Sequence, residues 1–436
     1  MAPVATAYPK IEFTDERLKN GLRLVMSVDN LVPIVAVNLW YNVGSRNEVP
    51  GKTGLAHLFE HMMFEGSANL KKGEHFKLVS SVGGANNAST SNFRTNYFEW
   101  APSHELELLL WLEADRMGSL GEALNQKTLD NQRDVVKNER RQVMDDQPYG
   151  TWTEQAMNSI FPEAHPYHHS VIGSMEDLSA ASLKDVKDFF RAHYAPNNAV
   201  LSIVGDFDPK QARAWVEKYF GKIAKAKIPP SPEVELPLTL GGENRKTLRD
   251  RVPVPGVFIA YRSPGEGTRE SDVMTVAGAV LGLGRGSRMY QRLVREQVAL
   301  QASFLTLTQP GVSMSVAVGI AGPGIFNEVV EAELLKVVDS LKTEAVTNEE
   351  LARAGAQLER QIMDQLSTVA SRADWLSEHA TLFGDPGKVN ERLPELLSVT
   401  ADEIKKVASE VLTKENRSVI TYLPKPPDPK KAKKVK

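Results

Sequence analysis

The sequence predicts an α+β fold in which one domain is duplicated. Short runs rich in Val, Ile and aromatic residues, typical of strands, alternate in both halves with longer segments of helical apolar spacing. A helix followed by Asn and a β-branched strand occurs at 182–204 and again at 400–422. At 436 residues the chain is also too long for a single hydrophobic core. These observations predict two similar domains, one after the other.

A Pro-rich stretch separates the two halves. Residues 228–245 contain several Pro and a Gly pair but no helical spacing, which is typical of a linker. We therefore place the first domain at 1–227 and the second at 246–424. The tail at 425–436, rich in Lys and Pro, is predicted to be disordered.

In the first half, turn and cap signals separate the predicted elements. Asn20 and Gly21 mark a turn, and Gly83 and Gly84 open a loop. Strands are predicted at 22–26, 34–43, 88–97 and 199–204. Helices are predicted at 103–117, 129–144, 182–194 and 209–220. The strand at 88–97 is so polar that we expect it at the edge of a sheet.

In the second half, a glycine loop invites a nucleotide-binding interpretation. Gly282, Gly284 and Gly286 follow a predicted helix rather than a strand, which argues against a phosphate-binding loop. The other predicted elements are strands at 257–261, 302–308 and 313–318, and helices at 272–283, 287–298 and 326–341. A capping box at Thr347 opens a long helix that we expect to end near Phe383.

The strongest functional signal is an H-x-x-E-H motif at His57, Glu60 and His61. Apolar residues around it recur at helical spacing, so both imidazoles lie on one face of a helix. Two neutral imidazoles make half of a tetrahedral zinc site, and Glu60 is close enough to handle the proton of a metal-bound water. A chance match or a surface His pair is the alternative, but the apolar surroundings favour a metal.

Glu139 is the candidate third ligand. It shares the apolar face of the helix at 129–144 with Gln132, and a carboxylate on such a face needs a partner. An ordinary surface Glu beside Arg140 and Arg141 explains the pattern equally well. The chain has no Cys, so a metal site can use only His and carboxylate ligands.

Composition and charge exclude several classes of partner. A net charge of −3 gives no sign of nucleic-acid binding, and no apolar run approaches the length of a membrane span. The first residues lack the basic and apolar regions of a signal peptide. We therefore expect a cytoplasmic bacterial protein, or a periplasmic one if Met1 replaces a removed signal peptide. The absence of Cys fits a bacterial exported protein slightly better than a cytosolic one.

Taken together, these residues resemble the pitrilysin/insulinase family of inverzincin zinc peptidases, in the half-size branch that includes mitochondrial processing peptidase. The resemblance covers nearly the whole chain and rests on motifs at 54–66, 83–90, 133–139, 197–206 and 287–296. It implies two homologous α/β-sandwich domains, each a mixed, mainly antiparallel sheet with helices packed on it. It also implies that two such halves close around a chamber that holds unfolded peptide.

The resemblance assigns roles to the motif residues. His57, His61 and Glu139 match the ligands of one Zn²⁺ per chain, and Glu60 matches the catalytic base. Gln132 stands where the family usually has a second acidic residue. The residues that orient the metal ligands therefore depart from the family pattern at this position.

The implied substrate is an oligopeptide or an unfolded segment bound as an added strand. The residues that match substrate contacts are Ala88, Ser89, Thr90, Ser91 and Arg295. Complete relatives carry a Tyr seven residues after this Arg, and here that position is Ala302. The departure predicts a heterodimer with a homologous chain that carries the Arg–Tyr pair. A homodimer with other clamp residues is the alternative.

The sequence as a whole predicts a zinc metalloendopeptidase. Zinc would bind and activate a water, and Glu60 would take the water's proton and pass it to the leaving amine. Two other classes stay open: a non-catalytic structural or assembly subunit of the same family, and a metal-binding module without hydrolysis. The intact ligands argue against the first class, since packing alone would not keep them, and Glu60 argues against the second.

Overall fold

The computed structural model describes residue 8 and residues 10–426, so most of the predicted tail lies outside the described residues. The described residues form strands β1 (Thr14–Arg17), β2 (Arg23–Val28), β3 (Ile34–Tyr41), β4 (Ala85–Thr90), β5 (Thr95–Pro102), β6 (Ala199–Gly205), β7 (Asn244–Asp250), β8 (Gly256–Pro264), β9 (Ala299–Leu307), β10 (Val312–Ala321) and β11 (Arg417–Pro424).

Their α-helices are α1 (Leu55–Met62), α2 (Glu74–Ser81), α3 (Leu106–Ala123), α4 (Gln126–Arg140), α5 (Trp152–Ile160), α6 (Met175–Ala180), α7 (Leu183–His193), α8 (Pro209–Phe220), α9 (Arg269–Gly282), α10 (Asn327–Thr343), α11 (Asn348–Leu366), α12 (Val369–Leu382), α13 (Arg392–Leu397) and α14 (Ala401–Val411). None of these helices has the length and apolar content needed to cross a membrane.

The strands form two sheets with the same topology, which confirms the predicted duplicated α+β fold. The first sheet has the order β1-β2-β6-β3-β5-β4, and the second has the order β7-β11-β8-β10-β9. In each sheet one pair is parallel, β2 with β6 and β7 with β11, and the other pairs are antiparallel. The second sheet therefore repeats the first strand by strand, apart from the additional β1.

The chain divides into two compact units, and neither is contiguous in sequence. The first runs to Val136 and adds Val171–Pro232 and Ile362–Leu393, and the remainder forms the second. The change at Pro232 falls inside the predicted linker, and the predicted domains at 1–227 and 246–424 stay a prediction. Within the first unit α12 packs on β3 and β6, and within the second α5 packs on the equivalent strands β8 and β11. Each unit thus takes one covering helix from the other half of the sequence.

The prediction of one strand at 88–97 is wrong, because the segment is a hairpin of β4 and β5. Ser91 donates its backbone N–H to the carbonyl of Arg94 at 2.8 Å. Its hydroxyl accepts from the N–H groups of Phe93 and Arg94 at 3.3 and 3.2 Å. A serine hydroxyl that binds the backbone two and three residues on stabilises a tight turn. The predicted edge position is confirmed, since β4 is the last strand of its sheet.

Two helix predictions in the second half are also wrong. The long helix from Thr347 breaks after Leu366, because the side chain of Thr368 accepts from the N–H of Ser371 and caps α12 as a new helix. The helix predicted through 298 ends earlier. Gln297 has a φ of 62°, which an α-helix cannot accommodate, and β9 begins two residues later.

Candidate metal centre

Helix α1 carries the H-x-x-E-H motif and is fixed by its apolar face. Leu58, Phe59 and Met62 are completely buried. The ring centroid of Phe59 lies 4.3 Å from that of Tyr194. Each buried side chain of this size contributes about 1.5–3 kcal/mol. Packing therefore sets the orientation of the helix, and the polar residues of the motif take the opposite side.

The N-terminus of α1 is capped from a distance. Its N-cap, Gly54, has a φ of 84°, and a Cβ atom there would lie 2.4 Å from the carbonyl oxygen of Ile172, so only Gly fits. The carboxylate of Glu48 caps instead: Oε2 accepts from the N–H of Gly54 at 2.9 Å and Oε1 from that of Ala56 at 2.7 Å. Burial raises the pKa of Glu48 well above its ordinary value, and these backbone donors oppose the shift. This carboxyl group lies at the positive end of the helix dipole.

The structure brings the three predicted ligand residues together. Each offers one ligand atom, and these atoms of His57, His61 and Glu139 all lie within 4.8 Å of one another. The two imidazole rings have centroids 4.8 Å apart and planes at 80°. All three residues are half-buried. Two imidazoles and a carboxylate are a donor set that catalytic zinc sites use, with a fourth position left for water or substrate, so these residues fit Zn²⁺.

The predicted base, Glu60, is held by the predicted substrate strand. The hydroxyl of Thr90 donates to Oε2 of Glu60 at 2.6 Å, and Glu60 is 9% exposed. Side chains alternate along β4, so Thr90 lies towards α1 while Ser89 lies on the other face of the sheet. No sequence signal links positions 60 and 90, because the link depends on the strand's position beside the helix.

Gln132 forms a hydrogen bond with Glu65, an acidic residue shortly after the H-x-x-E-H motif. It is buried on α4, and its side-chain amide donates to Oε1 of Glu65. The ammonium of Lys72 lies 2.6 Å from the same oxygen. A carboxylate at position 132 would repel that of Glu65, so the amide is the compatible group here.

The other predicted substrate residues lie in different elements. Ala88 and Ser89 are on β4 itself, and Ser91 is in the hairpin turn. Arg295 belongs to the second unit, where it is exposed and its guanidinium donates to Gln291 at 2.9 Å. Ala302 lies on β9, the strand that corresponds to β4 in the duplicated sheet.

A second cluster of metal-binding residue types, which the sequence did not reveal, is completely buried. Ligand atoms of His75, Glu99 and Glu113 lie within 4.8 Å of one another, and Arg116 donates to Glu113. Two carboxylates beside one guanidinium leave one negative charge. Burial lowers the pKa of His75 to about 3, raises that of Glu99 to about 8 and also raises that of Glu113. Because Arg116 donates to Glu113, we assign the balancing proton at neutral pH to Glu99. A divalent cation would leave an excess positive charge, so we assign no metal here.

Two family descriptions match the chain, one after the other. Residues 24–173 match the family described as "Insulinase (Peptidase family M16)". Residues 180–358 match the one described as "Peptidase M16 inactive domain". The motif helix and Glu139 both fall within the first match.

Bacterial proteases are similar to the chain over most of its length. The zinc protease PqqE of Helicobacter pylori is 31% identical over 372 residues, which cover 84% of this chain and 82% of that protein. A zinc protease of Mycobacterium tuberculosis, itself uncharacterised, is 27% identical over 402 residues, covering 91% and 90%.

Solved structures share the fold. A protease from Helicobacter pylori superposes with a TM-score of 0.89 at 27% identity and covers 95% of this chain and 100% of that one. The periplasmic protease PqqL of Escherichia coli has a TM-score of 0.73 at 17% identity, and the match covers 96% of this chain but 48% of that one.

Proposed function

This chain belongs to the insulinase family of peptidases, family M16, and on that premise we propose that it is a zinc-dependent endopeptidase. Its substrates are oligopeptides and unfolded segments of proteins. The observation that carries the proposal is the grouping of ligand atoms from His57, His61 and Glu139 within 4.8 Å. Glu60 lies on the same helix as the two imidazoles, beside the edge strand β4.

The residues divide the chemistry between them. Zn²⁺ held by His57, His61 and Glu139 would lower the pKa of a water towards ~7 and polarise the peptide carbonyl. Glu60 accepts the proton of the attacking water and returns it to the leaving amine nitrogen. Thr90 orients the Glu60 carboxylate through its 2.6 Å hydrogen bond to Oε2.

Substrate binds as an additional strand along β4. The outer edge of β4, the last strand of its sheet, presents backbone donors and acceptors to an extended peptide, although the N–H of Ala88 donates to Oδ1 of Asn87 at 2.9 Å. This mode of binding reads sequence weakly. Because Thr90 on the same strand contacts Glu60, a peptide paired with β4 lies beside the base. An extended or unfolded segment can pair in this way, whereas a folded domain cannot.

The chain acts as one half of a heterodimer. Arg295 supplies the Arg of a substrate clamp, but Ala302 has neither a phenol to donate a hydrogen bond nor a ring to pack. A second copy of this chain would therefore bring the same incomplete clamp. The partner is a homologous chain of similar length with the Arg–Tyr pair and a degenerate H-x-x-E-H. In PqqL the shared fold covers about half of a longer chain. This supports the proposal that the present chain acts together with a second chain of similar length.

A fluorogenic extended peptide, assayed with and without a homologous Arg–Tyr subunit, tests the proposal. The zinc-loaded chain alone cleaves slowly, hydrolysis rises on titration with the partner, and chelation abolishes it until Zn²⁺ is restored. High activity of the isolated chain, unchanged by any partner, would refute the proposed heterodimer but would support the proposed peptidase activity.

A non-catalytic subunit is the second candidate. It is favoured by the match of residues 180–358 to a domain described as inactive, although the candidate ligands lie outside that match. Retained zinc without hydrolysis in any combination of subunits would select this candidate.

A further inference from the structure

The face of the first sheet opposite α1 contains a carboxylate held by three donors. Asp374 lies on α12, and its Oδ1 accepts from the side chains of Asn38 at 3.0 Å, Trp40 at 2.7 Å and Asn96 at 2.7 Å. Asn38 and Asn96 are almost completely buried. Charge-assisted bonds of this kind are stronger than neutral ones, so the carboxylate is firmly oriented.

Asp374 also lines a cavity of about 180 Å³. Within the described part of the chain, all three bonds go to Oδ1, which leaves Oδ2 for a further donor. The other walls include the hydroxyl-bearing Ser89 and Ser371 and the ring of Phe98. A negative oxygen beside an aromatic wall suits a side chain with an apolar stem and a cationic end.

The cavity is connected to the substrate strand. Ser89 on β4 is the register partner of Asn96 on β5, and its hydroxyl donates to the Asn96 side-chain oxygen at 2.8 Å. The next residue, Thr90, contacts Glu60 on the other face. In a peptide added to β4, every second side chain would therefore lie on the cavity face.

Two arginines lie near this network, and both have other partners. Arg94 donates to the Asn96 side chain at 2.9 Å and to the carbonyl of Ser89 at 2.8 Å. Arg372 pairs with Asp29 at 2.5 Å. Arg94 also donates to the hydroxyl of Ser89, so its guanidinium contacts two residues of the cavity wall, and its charge weakens the attraction of the cavity for a cation.

We propose that Asp374 forms a subsite for a Lys or Arg side chain of the peptide bound along β4. The subsite rests on the proposed function and gives it a substrate class, extended peptides with a basic residue at one defined position. Because Arg94 opposes the attraction of Asp374, we expect a modest preference for a basic over a neutral residue, about tenfold, which corresponds to about 1.4 kcal/mol.

Binding to a zinc-loaded Glu60→Gln chain tests the subsite without hydrolysis. Fluorescent extended peptides carry Lys or Gln at one position, scanned along the peptide, and anisotropy gives the Kd of each pair. At one position the Lys peptide binds about tenfold more tightly than the Gln peptide, and the difference shrinks in high salt, which screens charge.

Three variants in the same background assign the preference. Asp374→Asn abolishes the difference between the two peptides. Ser371→Lys places a cation in the cavity and keeps the three bonds to Asp374, and it should also abolish the difference between the two peptides. This second variant keeps the test valid if Asp374→Asn disturbs α12. Asp402→Asn, at an exposed position on α14, retains the full difference and is the matched control.

The outcomes separate the subsite from the proposed function. Tight binding without a Lys preference, or a preference that survives both Asp374→Asn and Ser371→Lys, overturns the subsite alone. Absence of peptide binding and of hydrolysis, with or without a partner chain, overturns the proposed function and the subsite that rests on it.

Discussion

Replacing Glu99 with Gln should change how the stability of this protein depends on pH. Glu99 is completely buried, and its side chain lies 3.0 Å from Nε2 of His75. Burial raises the pKa of Glu99 from 4.5 to about 8 and lowers that of His75 from 6.5 to about 3. Gln is close in shape to the protonated acid and carries no charge at any pH.

The direction follows from proton counting. The raised pKa of Glu99 adds stability that is fully present below pH 4.5 and is lost as the pH rises through about 8. The lowered pKa of His75 has the opposite effect below pH 6.5, where the unfolded chain takes up a proton that the folded chain excludes. Between pH 6.5 and 8, therefore, the raised pKa of Glu99 lowers the stability and the His75 effect does not oppose it. At about 1.4 kcal/mol per pH unit, the loss over this window is about 2 kcal/mol.

Denaturant unfolding of wild type and Glu99→Gln at pH 6.5 and pH 8 measures the effect. The variant should gain about 2 kcal/mol relative to wild type between the two pH values. Glu122→Gln, at an exposed position on α3, should follow the wild type. An identical difference between Glu99→Gln and wild type at both pH values would refute the assignment of the proton to Glu99.

Two further predictions concern the motif helix and its base. Gly54→Ala should destabilise the protein by about 1–3 kcal/mol in thermal unfolding, because the residue has a positive φ and its Cβ would meet the carbonyl of Ile172; unchanged stability would contradict the close approach. Thr90→Val should lower kcat about tenfold or more while zinc content stays unchanged, and Thr90→Ser should restore it, because a hydrogen bond to a charged group is worth about 1.5–3 kcal/mol. Equal kcat in the Val and Ser variants would show that the hydroxyl does not support Glu60.

Local periodicity was sufficient to identify the motif. The spacing of His57 and His61 predicts one helix face without any knowledge of the fold, since both residues belong to one element. Glu139 is different, because the pattern of its own helix fits an ordinary surface residue beside Arg140 as well as it fits a metal ligand. Its proximity to the imidazoles depends on how α4 packs, which only the resemblance could suggest.

The contacts that could not be predicted all connect distant parts of the sequence. The bond from Thr90 to Glu60 requires the hairpin of β4 and β5, and the sequence showed one polar strand there because Ser91 closes the turn without Gly or Pro. Asp374 reaches Asn96 only because α12 belongs to the first unit, 278 positions further along the chain. Strand register and helix exchange are long-range properties, and no local pattern encodes them.

The most direct test of the central claim is the zinc content of two purified variants. Glu139→Ala removes a proposed ligand, and Glu60→Gln removes only the proposed proton acceptor. We predict that Glu60→Gln retains one Zn²⁺ per chain and loses peptide hydrolysis, while Glu139→Ala loses the metal. Full zinc occupancy in Glu139→Ala would contradict the assignment of His57, His61 and Glu139 as the metal centre.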